Sequence, residues 1–292
     1  MKIKQLVDRY GSNRMNAAEP GKLLKGCTCI AVPFAGGMCE IPYMTANIIN
    51  VNDLDRHVIN LCRVIANERE RLVIRLDGAA FHGDTLKESQ QYCRDVESAM
   101  RKPELIHEFD YDFFWAYHYF IASWMTRGGS GGTKGEFEQG MSIRWKSGGG
   151  DSVVRFRNAA EGIAAWEKVM RICTFTTLDA FDFIGECKKR DIPENGIYCD
   201  PPWPEDGDNY KHGAFDELVN WSDGAGPMER ISKHEVLARM LRSFERTKIV
   251  VRLNDHPIVH ELYPESDWTW HRLESRTQAN KGKAEVLLTR NV

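Results

Sequence analysis

The chain has 292 residues, 42% hydrophobic and 28% charged, and its 39 Lys and Arg against 42 Asp and Glu leave a formal net charge of −3. A chain of this size buries a full core without disulfides or metals; no run of about 18 apolar residues is present to span a bilayer, and the slight negative balance argues against a basic coat over the whole surface. The start, Met1-Lys2-Ile3-Lys4-Gln5-Leu6, lacks the apolar stretch of a secretory signal, so a cytoplasmic location is expected, and the eight scattered cysteines (27, 29, 39, 62, 93, 173, 187, 199) form no Cys-x-x-Cys or Cys/His knuckle, so they read as reduced core residues with no metal site expected.

Cys27-Thr28-Cys29-Ile30-Ala31-Val32 is a short apolar run closed by Pro33 and the Gly36-Gly37 pair, which predicts a first parallel strand feeding a Gly-rich loop. A crossover helix is expected over about 39–46. Ile48-Ile49-Asn50-Val51-Asn52 predicts a second strand ending at Asp53, and residues 55–67 place Val58, Ile59, Leu61, Cys62 and Ile65 on one helical face. Such a βαβα opening is how doubly wound α/β folds begin.

From about 75 to 157 the pattern changes, with helices expected over 84–100 and 110–125 and then a loop crowded with glycine. The aromatics of Phe109–Phe120 recur at helical spacing and read as core rather than as a base-stacking surface; His107 and His118 read as structural. Between Arg127 and Arg157 the basic residues Arg127, Lys134, Arg144, Lys146, Arg155 and Arg157 outnumber Glu136, Glu138 and Asp151, so the segment is locally positive, as either a phosphate-gripping surface or an ordinary solvated loop would be. The organisation expected is therefore an α/β domain of residues 1–75 and 158–292 carrying a mainly helical insertion, 76–157.

The α/β rhythm then returns. Residues 159–170 predict a helix, Cys173–Thr177 a strand reaching Asp179, and a short helix to about Lys188 leads to the strand that ends at Asp200. Ser232–Phe244 predicts a helix with Ser232 as N-cap and Glu235 at the capping-box spacing. Lys248–Leu253 predicts another strand, and Trp268-Thr269-Trp270 with Ala284–Thr289 predicts a terminal antiparallel hairpin.

The chemistry is concentrated in Cys199-Asp200-Pro201-Pro202-Trp203. Asp200 can accept a hydrogen bond from an amino group, the two prolines make a stiff turn without N–H donors that presents carbonyl oxygens, and Trp203 offers a ring face. An acceptor pair beside a stacking surface at the carboxyl end of a strand suits the exocyclic amine of adenine or cytosine; a Pro-rich turn after an edge strand is the plainer alternative. Pro33-Phe34-Ala35-Gly36-Gly37 ends the first strand where glycine lets backbone approach a ligand, and Asp53 ends the second, placed to accept from ribose hydroxyls. With neither GxGxxG nor GxxxxGK[ST] spacing, a nucleoside without phosphates fits this loop better than a pyrophosphate.

In the order in which these elements follow one another, the chain resembles the Dam-like family of adenine-N6 DNA methyltransferases over most of its length outside the insertion. Tyr10-Gly11-Ser12-Asn13-Arg14 is similar to the family's aromatic-x-Gly-Gly-Lys element, Val32-Pro33-Phe34-Ala35-Gly36-Gly37 to its Glu-Pro-Phe-x-Gly cofactor loop, Asn52-Asp53-Leu54-Asp55 to its second-strand signature and Thr177-Leu178-Asp179 to its next cofactor strand. Cys199-Asp200-Pro201-Pro202-Trp203, followed by Asn209-Tyr210 and Phe215, resembles the catalytic Asp-Pro-Pro-Tyr, and Lys134-Gly135-Glu136-Phe137 resembles part of the target-recognition domain. The chain departs from the pattern at Val32 (Glu in the family), at Ser12-Asn13-Arg14 (Gly-Gly-Lys), at Glu138 (Asn) and at Trp203 (Tyr), and residues Asp216–Arg230 are extra.

The resemblance implies a doubly wound, mostly parallel Rossmann-like methyltransferase sheet with an antiparallel C-terminal strand. It implies S-adenosylmethionine as cofactor, held by Tyr10, Arg14, Pro33, Phe34, Ala35, Gly36, Gly37, Asp53 and Asp179, with Asp200, Pro201, Pro202 and Trp203 as the catalytic motif. It also implies duplex DNA as partner, with one adenine flipped out; Arg127, Lys134, Arg144, Lys146, Arg155, Arg157 and Tyr210 would bind the DNA, the basic residues through its phosphates. Two alternatives stay open: an RNA adenosine-N6 methyltransferase, which also commonly carries Asp-Pro-Pro-Trp but with its cofactor loop generally placed after that motif, and a catalytically silent nucleic-acid-binding protein of the same fold.

Overall fold

Apolar runs bounded by Gly, Pro and charged residues become strands, and longer segments with apolar residues three and four apart become helices. A computed structural model describes residues 5–11, 15–101, 111–127, 131–143, 151–205, 209–212, 215–273 and 284–292. In chain order these form α1 (Glu19–Leu23), β1 (Cys29–Val32), β2 (Ile48–Asn52), α2 (Arg56–Asp77), α3 (Gly83–Met100), α4 (Phe113–Met125), α5 (Ser152–Met170), β3 (Cys173–Thr176) and α6 (Ala180–Lys188). They continue with β4 (Asn195–Cys199), β5 (Leu218–Trp221), β6 (Glu229–Ser232), α7 (Lys233–Arg242), β7 (Lys248–Asn254), α8 (Pro257–Leu262), β8 (Thr269–Leu273) and β9 (Glu285–Arg290). No helix among the described residues is long and apolar enough to cross a membrane.

The chain divides into two compact units. One comprises residues 15–35, 43–54 and 178–292, and the other 1–14, 36–42 and 55–177. The first unit holds six strands of a seven-stranded sheet in the order β2-β1-β4-β7-β9-β8; the seventh strand is β3. Strands β2, β1, β4 and β7 are mutually parallel, whereas β9 is antiparallel to β7 and β8 antiparallel to β9, as the sequence of the terminal hairpin predicts. The central strands β4, β7 and β9 are buried almost throughout, which is why they read as continuous apolar runs rather than alternating ones. Phe183 and Ile184 of α6 and Leu237 and Leu241 of α7 pack with Ile197, Cys199, Ile249 and Val251 in one core. Ser232 caps α7 as its spacing predicts, its Oγ accepting from the Glu235 N–H at 3.2 Å. Because β1 leads to β2 on one side while β4 and β7 extend the sheet on the other, the direction of winding reverses between β1 and β4. Open α/β sheets bind ligands outside the carboxyl ends of the strands at such a point.

Two segments depart from expectation. The segment 39–46 is not a crossover helix but a single 3₁₀ turn, Ile41–Tyr43. Pro42 has no N–H to give, it biases Ile41 away from the α region, and a segment this short cannot repay helix nucleation. The extra residues 216–230 contribute to a hairpin, β5 with β6, registered Leu218↔Ser232 to Trp221↔Glu229. Arg239 fixes it to α7 through two bonds to Glu229, 3.2 and 3.0 Å, and lies over the Trp221 ring.

The second unit is helical. Its α4 matches the aromatic stretch read as core: Phe113, Trp115, Tyr117, Tyr119, Phe120 and Trp124 are buried and Phe114 is exposed. Asn60 pairs reciprocally with the Asp112 backbone, 2.8 Å in both directions, and Asp112 then caps α4 by accepting from the Trp115 N–H. Helix α2 extends ten residues past the periodic stretch, after its backbone leaves helical dihedrals at Glu68 (φ −131°, ψ 30°). This unit contains the segment 76–157 together with 1–14, 36–42, 55–75 and 158–177.

One carboxylate pins the turn that feeds β7. Asp191 accepts from the N–H groups of Glu245 (2.8 Å), Arg246 (3.1 Å) and Thr247 (2.8 Å) and from Lys188 Nζ (2.9 Å). Burial pushes its carboxyl up, but these donors outweigh burial and hold it well below the ordinary carboxylate range. Asp191→Ala is expected to lower stability by about 2–3 kcal/mol in urea unfolding near neutral pH. Because the folded pKa is depressed, the wild-type advantage is present above the unfolded value near 3.8 and fades as pH falls below it, so the two proteins converge in acid.

Candidate active site

The parallel register of β4 and β7 ends on Cys199↔Val251, so the next step outward brings Asp200 beside Arg252. Arg252 Nη1 donates to Asp200 Oδ2 at 2.8 Å, and its Nε and Nη2 donate to Glu285 Oε2 on β9 at 3.2 and 2.9 Å. Arg252 is 2% exposed, so its charge is neutralised inside the protein by two carboxylates. Burial pushes the Asp200 carboxyl above its ordinary range; Arg252 and the Trp203 N–H pull against that rise, and Glu285 adds to it. The indole of Trp203 folds back, with Nε1 3.4 Å from Asp200 Oδ1 and the Arg252 guanidinium 4.9 Å from its ring centroid. At 8% exposure Trp203 is not the open plate its sequence position suggests, and it must turn outward to stack on a base.

At the neighbouring strand end, Asn52 ties the loops together. Its Nδ2 donates to the carbonyls of Pro33 and Leu178, both at 3.1 Å, and its Oδ1 accepts from the Leu178 N–H at 2.9 Å. Its backbone carbonyl takes the Ala35 N–H at 3.0 Å. One fully buried residue thus fixes Pro33 and the residue before Asp179 through its side chain and Ala35 through its backbone, while Asp53 follows it, buried, at the end of β2. Asp179 caps α6, its Oδ1 accepting from the Phe181 N–H at 2.8 Å. Phe215 meets Phe34 edge-on at 5.6 Å and Phe181 at 5.8 Å, so three rings gather beside these loops. His234 packs edge-on against Phe215 at 5.4 Å, its Nε2 3.5 Å from Asp216.

The other residues expected at the site are distributed as follows. Pro201 is buried and Pro202 half-buried in the turn after β4, and Tyr210 is half-buried. Tyr10, Gly36 and Gly37 belong to the helical unit. There the Tyr10 N–H donates to Gly131 and the Gly37 carbonyl accepts from Leu6, both at 3.1 Å. Gly36 has φ +51°, the left-handed region that favours glycine. Arg14, Arg144 and Lys146 lie outside the described residues. Arg127 and Lys134 are exposed. Arg155 is paired with Asp8 at 2.8 Å, and Arg157 donates to the carbonyls of Leu76 (3.1 Å), Asp77 (2.7 Å) and Ala79 (2.8 Å), satisfying the C-terminal end of α2.

In the helical unit, ligand atoms of His57, Glu97 and Glu136 lie within 4.8 Å of one another. Trp115 Nε1–H donates to His57 Nδ1 at 2.5 Å, so the neutral ring carries its proton on Nε2 and gives it to Glu97 at 3.1 Å. A metal would need that same Nε2 lone pair, so the hydrogen-bond chain and coordination exclude each other.

Arg252, Glu285 and Phe181 carry no motif of their own, and Asn52 stands in the second-strand signature without any role having been read from it. Arg252 had a signal: a guanidinium inside the apolar run Lys248–Leu253 demands a buried carboxylate on an adjacent strand. No protein-family model matches the chain, and no curated protein matches it.

Burial holds His234 down to about 4, the neighbouring His256 helping and Asp216 opposing. The unfolded chain takes up this proton near pH 6.5 and the folded one only near 4, so stability falls as pH drops through that window, by on the order of 3 kcal/mol. His234→Gln is expected to flatten this dependence, read as urea midpoints at about pH 7 and about pH 5.

Proposed function

We propose that the chain transfers the methyl group of S-adenosylmethionine to N6 of adenine in DNA after the base is flipped out of the duplex. The observation that carries this reading is the coincidence, at the reversal point between β1 and β4, of an oriented carboxylate followed by two prolines and an indole with the loop Pro33-Phe34-Ala35. The residues present suit a nucleoside cofactor that carries no phosphates. Asp53 and Asp179 supply carboxylate acceptors for hydroxyl or amino groups, Phe34, Phe181 and Phe215 supply apolar walls, and the Gly-rich loop opens no α-helix whose N-terminus would hold a pyrophosphate. When bound, S-adenosylmethionine supplies an electrophilic methyl group on a sulfonium.

Adenine N6 is a poor nucleophile because its lone pair is delocalised into the ring. Asp200 Oδ1 and the Pro201 carbonyl accept its two N–H groups and draw it towards sp³ geometry, which frees the lone pair for in-line attack. As the N–CH₃ bond forms, the bond from the methyl carbon to the sulfonium sulfur breaks with its electron pair left on sulfur, releasing a neutral thioether, and Asp200 takes the proton that N6 sheds and passes it to water. Pro201 and Pro202 hold both acceptors in one rigid turn, so the rate gain comes from orientation and electrostatic placement. Trp203, turned outward, stacks on the flipped base and returns about 1–3 kcal/mol of the few kcal/mol that flipping costs.

Labelled methyl transfer to duplex DNA, single-stranded DNA and RNA, followed by nucleoside analysis, tests the proposal. N6-methyldeoxyadenosine is the expected product; a labelled ribonucleoside reassigns the substrate to RNA, and binding without transfer leaves a nucleic-acid-binding protein. Trp203→Ala is expected to lower turnover about 100-fold while cofactor affinity, read by calorimetry, stays within about twofold. Affinity for duplex DNA is expected to fall with salt, and the slope of log K against log salt to shrink by about one for each of Arg127→Ala and Lys134→Ala, a change that unaltered slopes would rule out.

A further inference from the structure

Asp200 has two carboxylate oxygens, and the protein treats them differently. Oδ2 takes a 2.8 Å charge-assisted bond from Arg252, whereas the contact of Oδ1 with the Trp203 N–H is long at 3.4 Å. Resting on the methyl-transfer reading above, we infer that Arg252 is the positioning residue of this site, which holds Asp200 through Oδ2 so that Oδ1 faces the incoming amine.

The geometry follows from the planar guanidinium. Nε and Nη2 are both committed to Glu285 Oε2, and two donors on one partner fix the plane and therefore the direction of Nη1. Glu285 stands in register with Asn254, one pleat beyond Arg252 on the same face of the antiparallel β7–β9 pair, so the sheet itself presents the fork. The same guanidinium lies 4.9 Å from the Trp203 ring centroid, so one side chain orients the acceptor and supports the indole in its folded-back position. When the base arrives, its amine replaces the long indole contact at Oδ1 and the bond at Oδ2 stays in place. A lysine would retain the charge and lose this double reach.

Among the described residues, the titratable and charged groups that face Asp200 are Arg252 from β7, Glu285 from β9 and Cys199 on its own strand, whose thiol burial pushes well up and keeps neutral. Asp200 can take up the proton that the amine sheds only when ionised, so the rate falls as pH drops through its pKa. Arg252 lowers that pKa, and its removal moves the fall to higher pH.

The test compares wild type with Arg252→Met, Arg252→Lys and the double variant Arg252→Met/Glu285→Gln, which leaves no unpaired charge on β9 if the single change does not fold. The double variant is expected to bind S-adenosylmethionine as wild type does, to lose about 100-fold in kcat, and to show the acidic limb of its kcat profile moved up by about 1–3 pH units. Arg252→Lys is expected to recover the position of the limb but not the kcat. A folded double variant with wild-type kcat and an unmoved limb would show that Arg252 only neutralises Glu285, and would overturn the inference. The Asp200 carboxyl is also titrated directly by ¹³C NMR in the same proteins. If wild type transfers no methyl group to any nucleic acid the proposed function fails, and this titration then decides alone: an Asp200 pKa unchanged without Arg252 overturns the positioning role.

Discussion

A guanidinium in the middle of a buried strand has to be neutralised where it stands, and the way Arg252 is neutralised organises the carboxyl edge of the sheet. Its partners come from both neighbouring strands, Glu285 on β9 and Asp200 at the end of β4. Desolvating three charged groups is costly, and the cost is offset only when donors and acceptors meet at hydrogen-bond distance inside the low-dielectric interior. The requirement therefore acts as a constraint on strand order and register. β7 must lie between β4 and β9, and β4 must stop so that its next residue reaches the guanidinium.

The neighbouring half of the site depends on a second buried polar group, of opposite character. Asn52 is neutral and completely enclosed, and its side chain reads backbone: two carbonyls and one N–H from the loops after β1 and before α6. Those loops would otherwise leave peptide groups unsatisfied as they leave the sheet. Asp53 and Asp179 owe their places to it, because each is covalently adjacent to a residue that Asn52 fixes or to Asn52 itself. The two buried groups thus hold the two loops that flank the point where the winding of the sheet reverses.

How much of this was legible in the sequence differs from element to element. The runs 29–32, 48–52, 195–199 and 248–254 and the cap at Ser232 depend on neighbours a few residues away, and periodicity and cap chemistry find such features. The aromatic helix α4 was legible as core for the same reason. The segment 39–46 misled because its apolar residues suggested a helix while Pro42 forbade it, and the β5–β6 hairpin escaped because its strands are half-exposed and carry no strong alternation. Arg155 and Arg157 illustrate a different limit. A basic run looks like a phosphate surface until the partners appear, and these two side chains face Asp8 and the open carbonyls of α2.

The sequence by itself determined the α/β alternation, the stiff acid-proline-proline-indole turn at a strand end and the acids that close the neighbouring segments, because each rests on backbone chemistry within a few residues. Only the tertiary structure decided which oxygen of Asp200 is held, that the Trp203 ring lies folded under Arg252, and that Asn52 joins the loops of residues 33 and 178. The first and the last of those contacts join partners 52 and 126 residues apart. Strand order brings them together, and desolvation makes their pairing obligatory.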